Sequence, residues 1–149
     1  MSNIEIILTV WCICVGASDM YARRIPNILT LGASIIAALW LITTGHALLG
    51  ANWQSVALGI VIGLTLTFPA YVSEMLGAGD VKLLLAIALI GGWYLTLLTY
   101  VVASAFALIF CLFRVFASKL SKLQNNSRRW IPFGSALSAG LLFSLMVAK

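Results

Sequence analysis

From Leu83 to Phe113 the chain runs for 31 residues without one charged side chain. One helical crossing of a bilayer takes about 20 apolar residues, so this stretch is too long for one crossing and short for two. The rest of the chain agrees. Of its 149 residues, 62% are hydrophobic and 9% charged, where a soluble domain has about a quarter of its residues charged. There is too little polar surface to keep a folded ball of this size in water, which excludes a cytosolic enzyme. The hydrophobicity excludes disorder as well, since unfolded chains are poor in apolar residues. The expected class is all-α: a polytopic membrane protein forming one domain over residues 1–149.

Six transmembrane helices are expected. The first covers Met1 to Ser18, interrupted only by Glu5; no basic residue precedes it, so it reads as a retained helix rather than a cleaved signal. The second covers Ile28 to Thr44, and the third Trp53 to Val72 with Pro69 near its end. Gly91-Gly92 is the natural turn inside the long uncharged run, giving a fourth helix from Asp80 to Ile90 and a fifth from Trp93 to about Phe116. The sixth covers Ile131 to Ala148, with Pro132 in its first turn, where proline is tolerated. The fourth is short: it reaches only about 16 Å, against a hydrocarbon core of about 30 Å. Gly59 and Gly63 form a small-xxx-small pair, expected to serve packing within the chain.

The few charges fix an orientation. The formal net charge is +5. Arg23 and Arg24 lie between spans one and two, Lys82 follows the gap between three and four, and Arg114, Lys119, Lys122, Arg128 and Arg129 lie between five and six. Basic loops stay cytoplasmic, so these gaps face the cytoplasm and both termini face outward. The same placement, in short gaps between apolar runs, speaks against nucleic acid as a partner. Trp53, Trp93 and Trp130 lie at span ends, as interfacial tryptophans do. Trp11 and Trp40 lie further inside and call for a packing partner.

Only four acids exist. Glu5 and Glu74 lie at or near span ends, where water or headgroups can solvate them. Asp19 closes the first span and Asp80 opens the fourth, so both fall at the cytoplasmic edge. An ionisable group in or beside hydrocarbon is costly and marks a functional site by default. When two carboxyls are forced together, one keeps its proton while the other is ionised. Such a pair can take a proton from water and polarise a carbonyl. Two structural alternatives stand beside this. Asp19 and Arg23 have the spacing of a modest helix ion pair, and Asp80 can cap the fourth helix, with Gly77 and Gly79 ending the preceding turn. A paired acidic site for ion-coupled transport is a further alternative. The other candidates are weaker. His46 reads as a loop residue, Cys12, Cys14 and Cys111 as buried small hydrophobes, and no metal-ligand cluster or cofactor motif is present in the sequence.

Three strings bear on the choice: Asp19 followed by Arg23-Arg24-Ile25-Pro26-Asn27, then Gly77-Ala78-Gly79-Asp80-Val81-Lys82-Leu83, then Ile131-Pro132-Phe133-Gly134. In this order and at these boundaries they resemble the type IV prepilin peptidases, polytopic aspartic proteases of the inner membrane that remove leaders from prepilins and pseudopilins. The resemblance implies that Asp19 and Asp80 are the catalytic pair, needing neither metal nor cofactor. It implies that Arg23, Arg24, Pro26, Asn27, Gly77, Gly79 and Lys82 shape the site. The substrate would carry a short basic leader on the cytoplasmic side, followed by a hydrophobic stretch. Two departures stand out. The long members have a large first cytoplasmic loop with paired CxxC motifs, and they also methylate the new N-terminus; here that loop is about Met20 to Asn27 and holds no cysteine. The chain thus resembles the short forms, such as those of tight-adherence pilus systems, without methylation. The last motif usually continues with proline, where this chain has Ser135. That change is expected to alter how the last helix begins and to leave the aspartates untouched. The rival expectation is a small proton-coupled transporter or channel subunit with the two aspartates as relays, although transport sites usually lie near the midplane.

Overall fold

The computed structural model describes residues 3–22, 25–73, 76–120 and 133–147, with the backbone alone for residues 22 and 114–120. These form five helices: α1 (Asn3–Ala22), α2 (Asn27–Thr44), α3 (Trp53–Val72), α4 (Ala78–Leu120) and α5 (Phe133–Val147). No strand occurs among the described residues; one isolated bridge, His46 to Asn52, closes the loop between α2 and α3. The expectations about Arg23, Arg24, Glu74, Lys122, Arg128, Arg129, Trp130, Ile131 and Pro132, and about the side chains of Arg114 and Lys119, lie outside the described residues.

Among the described residues the fold is all-helical, and its helices suit a bilayer. Helices α1, α2 and α3, and residues 78–113 of α4, are long and apolar enough to cross one, while α5 is apolar but shorter. Their outer faces are apolar too. Ile7, Ile42, Val61 and Leu108 are among many large hydrophobic side chains more than half exposed. In water such a surface would aggregate; in lipid it is the solvated face.

Helix α4 is two arms. Gly92 leaves the helical region at φ 76° and ψ −168°, a conformation open essentially to glycine alone. The chain folds back there. A side chain built on Gly63 would touch Leu84 at 3.6 Å and Thr96 at 3.7 Å, whereas in a straight helix these two residues lie about 18 Å apart. The expected Gly91-Gly92 turn is therefore present, and it is braced from both sides. Gly59 lies against the Gly92–Trp93 peptide, where an added Cβ would sit 2.9 Å from the backbone. The Leu49 amide donates to the Ile90 carbonyl at 3.1 Å, giving that carbonyl a partner beside the break. Gly59 and Gly63 are both buried, so their small faces serve packing of α3 on α4.

The core lies between α1, the first arm of α4 and α5. Cys12 and Val15 meet Leu83, Leu84 and Ile87, with Leu137 and Leu141 behind them. Trp11 finds its partner by donating from Nε1 to the Leu29 carbonyl at 3.1 Å, which ties α1 to α2. Trp40 does not pack inside. It is 43% exposed on α2, one turn from the helix end, where an indole suits the interface. Cysteine corrects the expectation as well, since only Cys12 is buried and Cys14 and Cys111 lie on the outside of the bundle. Burial follows the helix face that each occupies, not the residue type.

Candidate active site

Four helix ends converge at one end of the bundle: the last turn of α1 and the starts of α2, α4 and α5. Each supplies a part. Helix α1 does not stop at Ser18 but runs to Ala22, so Asp19 is held on a formed turn. It is 7% exposed. Its Oδ2 accepts the backbone N–H of Ser135 at 2.7 Å, across 116 residues of sequence. Ser135 lies in the first turn of α5, where N–H groups have no intrahelical acceptor and the helix dipole favours an anion. The expectation that Ser135 leaves the aspartates untouched is therefore overturned: the contact runs through its backbone amide, which no side-chain pattern displays.

Asp80 is held by its own helix. Its amide donates to the Gly77 carbonyl at 3.1 Å, and its Oδ2 accepts the Gly77 N–H at 3.3 Å. An acid at the third helical position reaching back to the amide before the helix is one half of a capping box. The capping alternative is thus realised, though the bond leaves Asp80 half-buried and turned toward the same end as Asp19. The two carboxyls interact electrostatically. Capping and chemistry are compatible, because the cap engages one oxygen and leaves the carboxyl in place.

Ile25 joins the two halves. A side chain added at Gly79 would meet Ile25 at 3.5 Å, and one added at Gly134 would meet Ile25 Cδ1 at 2.6 Å and the Asp19 carboxyl at 3.0 Å. The starts of α4 and α5 thus flank one isoleucine, and glycine at 134 is what lets α5 come this close. Pro26, the residue before α2, is extended, at φ −59° and ψ 132°. Asn27 then opens α2, and its Oδ1 accepts Lys82 Nζ at 3.1 Å, which links α2 to the first turns of α4. Among the expected site-shaping residues, Pro26, Asn27, Gly77, Gly79 and Lys82 gather here, while Arg23 and Arg24 lie outside the described residues. Ile25 and Gly134 stood in the quoted strings, and Ser135 stood out as a departure from one, but none of the three was given a place in the site from sequence. His46, exposed in the α2–α3 loop, lies at the far end of α2. No group of three potential metal ligands occurs among the described residues.

Two carboxyls at the ends of two helices, with one oxygen of each engaged by an amide, can exchange a proton with water between them. A family model described as the type IV leader peptidase family matches residues 6–112. That stretch holds Asp19, Ile25, Asn27, Asp80 and Lys82, and ends before α5. No curated protein and no solved structure matches the chain.

Proposed function

Because the chain belongs to the type IV leader peptidase family, we propose that it is a membrane aspartic endopeptidase that removes the leader from prepilin-like precursors, with Asp19 and Asp80 as its catalytic pair. The observation that carries this reading is the placement of both carboxyls at the one end of the bundle where the starts of α4 and α5 flank Ile25. The ionised member takes a proton from water. The protonated member donates to the scissile carbonyl oxygen as the water oxygen bonds to its carbon. The tetrahedral intermediate then collapses, the C–N bond breaks, and the leaving amine takes a proton from the pair. No covalent enzyme intermediate and no metal enters.

We place six crossings in the inner membrane, with the site at the cytoplasmic face. The basic gaps support this orientation, and the fold-back at Gly92 supports counting α4 twice. Its first arm, residues 78–91, spans about 21 Å at 1.5 Å per residue. That is short of the hydrocarbon thickness, so water and a peptide backbone reach the Asp80 end readily. The short loop between α1 and α2, without CxxC pairs, supports cleavage without methylation. Both acids lie at one end of the bundle, which disfavours a transport relay.

Asp19→Asn and Asp80→Asn are each expected to lower leader cleavage at least about a thousandfold, the scale of general acid–base catalysis, with membrane insertion intact. Glu74→Gln retains most activity. The parental rate falls at both pH extremes, where the pair is doubly protonated or doubly ionised. A purified precursor cleavage assay at equal enzyme concentration checks all of these. Near-parental cleavage by either asparagine variant would refute the dyad.

A further inference from the structure

Helices α2 and α3 follow one another in the chain, yet they hardly pack on each other; each packs on α4 instead. Near the 45–52 loop the buried cluster of Leu41, Ala47 and Val56 holds them together. Against that cluster lies a cleft of about 150 Å³, walled by Ala38 and Ile42 on α2 and by Trp53 and Ala57 on α3, with Leu89 of α4 as its floor. Two of the walls are alanines, whose small side chains leave the space. Leu89 keeps part of its surface exposed in a run where Ala86, Ile87, Ala88 and Ile90 are buried. Ile42 and Trp53 are exposed at the rim, and Leu39 and Leu58 carry the same apolar surface on along the two helices. The cleft therefore opens onto the face that lipid solvates.

Size and chemistry decide what occupies it. The lining is apolar, and apolar cavities stay dry. A helix with its side chains is about 10–12 Å across, too wide for this space. Left empty, the walls would forfeit their dispersion contacts. An apolar cavity of about 150 Å³ takes up benzene, so this one has room for a segment of about six carbons. We propose that the cleft is a binding site for one acyl chain of a bilayer phospholipid, entering from the leaflet at the 45–52 loop end. Trp53 opens α3 there, where an indole suits the interface. The chain completes the wall between α2 and α3 and backs Leu89, three residues before the fold-back at Gly92. The site lies at the opposite end of α2 from Asn27 and the two aspartates, so its occupant acts on packing and not on the chemistry. The proposal rests on α2 and α3 crossing a bilayer and is independent of the peptidase reading.

The test is photolabelling of the full chain in phosphatidylcholine vesicles that contain a phosphatidylcholine with a diazirine in mid-chain. After irradiation, mass spectrometry of the digested protein locates the adducts. Val61, exposed on α3, reports bulk lipid, and buried Ile87 reports background. Leu89 is expected to label as Val61 does, and Ile87 to stay unlabelled. In Ala57→Phe, which fills the cleft from its wall, the Leu89 adduct is expected to fall to the Ile87 background while Val61 is unchanged. Leu89 labelling no higher than Ile87 in the parent, with Val61 labelled, overturns the site and leaves the membrane reading standing. An unlabelled Val61 overturns both. Protection of Leu89 that is lost as the protein is diluted in lipid would assign the cleft to a second copy of the chain and overturn the proposal. The parental contrast between Leu89 and Ile87 decides the matter even if Ala57→Phe fails to insert.

Discussion

The two ends of α2 are built alike and hold different things. At each end a chain segment meets the point where another helix begins or breaks, and glycine permits the approach. Beside the 45–52 loop, main chain meets main chain: the Leu49 amide bonds the Ile90 carbonyl, and Gly59 lies against the Gly92–Trp93 peptide. The titratable side chain in that loop is His46, and it is exposed. Beside Asn27, the exposed amides of two helix starts meet carboxyls instead. A helix break presents a carbonyl and invites a donor, which makes a joint. A helix start presents amides and invites an anion, which makes a place where charge can be kept in an apolar protein.

Gly134→Ala strikes the carboxyl end and should have the largest effect of the substitutions that compare the two. Its Cβ would press on both Ile25 and the Asp19 carboxyl, and a misplacement of about 1 Å costs on the order of a hundredfold in rate. Steady-state cleavage with thermal unfolding in detergent would measure both consequences, and an unchanged kcat would break the comparison. Gly92→Ala strikes the joint. It should lose about 1–3 kcal/mol of stability, because φ 76° with ψ −168° is strained for any Cβ-bearing residue. Its kcat per folded molecule should stay within about twofold, and a selective loss of kcat would mean that the joint serves the chemistry directly. Asn27→Ala removes the acceptor of Lys82 at an exposed position. It should change stability by less than about 1 kcal/mol and leave kcat near parental, which the same two assays check.

What could be read in advance follows from what side chains announce. The α3 boundaries, Trp53 and Val72, agree between sequence and structure, because an apolar run ends where polar residues resume. The fold-back at Gly92 was legible from a run too long for one crossing. Asp19 and Asp80 were legible because acids beside hydrocarbon are rare. Ser135 was legible only as a departure: serine carries the amide that the usual proline lacks, but nothing in the sequence shows what that amide meets. Ile25 was hidden for a related reason: one more apolar residue, between Arg24 and Pro26, gives no sign that two helix starts flank it. Cys14, Cys111 and Trp40 were misjudged because a helix that is apolar all round does not reveal which face meets protein and which meets lipid.

The 116-residue separation between Asp19 and its amide donor also sets an order of assembly. During synthesis both aspartates emerge with α1 and the first arm of α4, long before α5 leaves the ribosome. Until α5 is seated, the nascent chain has its two acids but not the amide that one of them accepts. The bond between Asp19 and α5 is thereby among the last contacts of this end of the bundle to form.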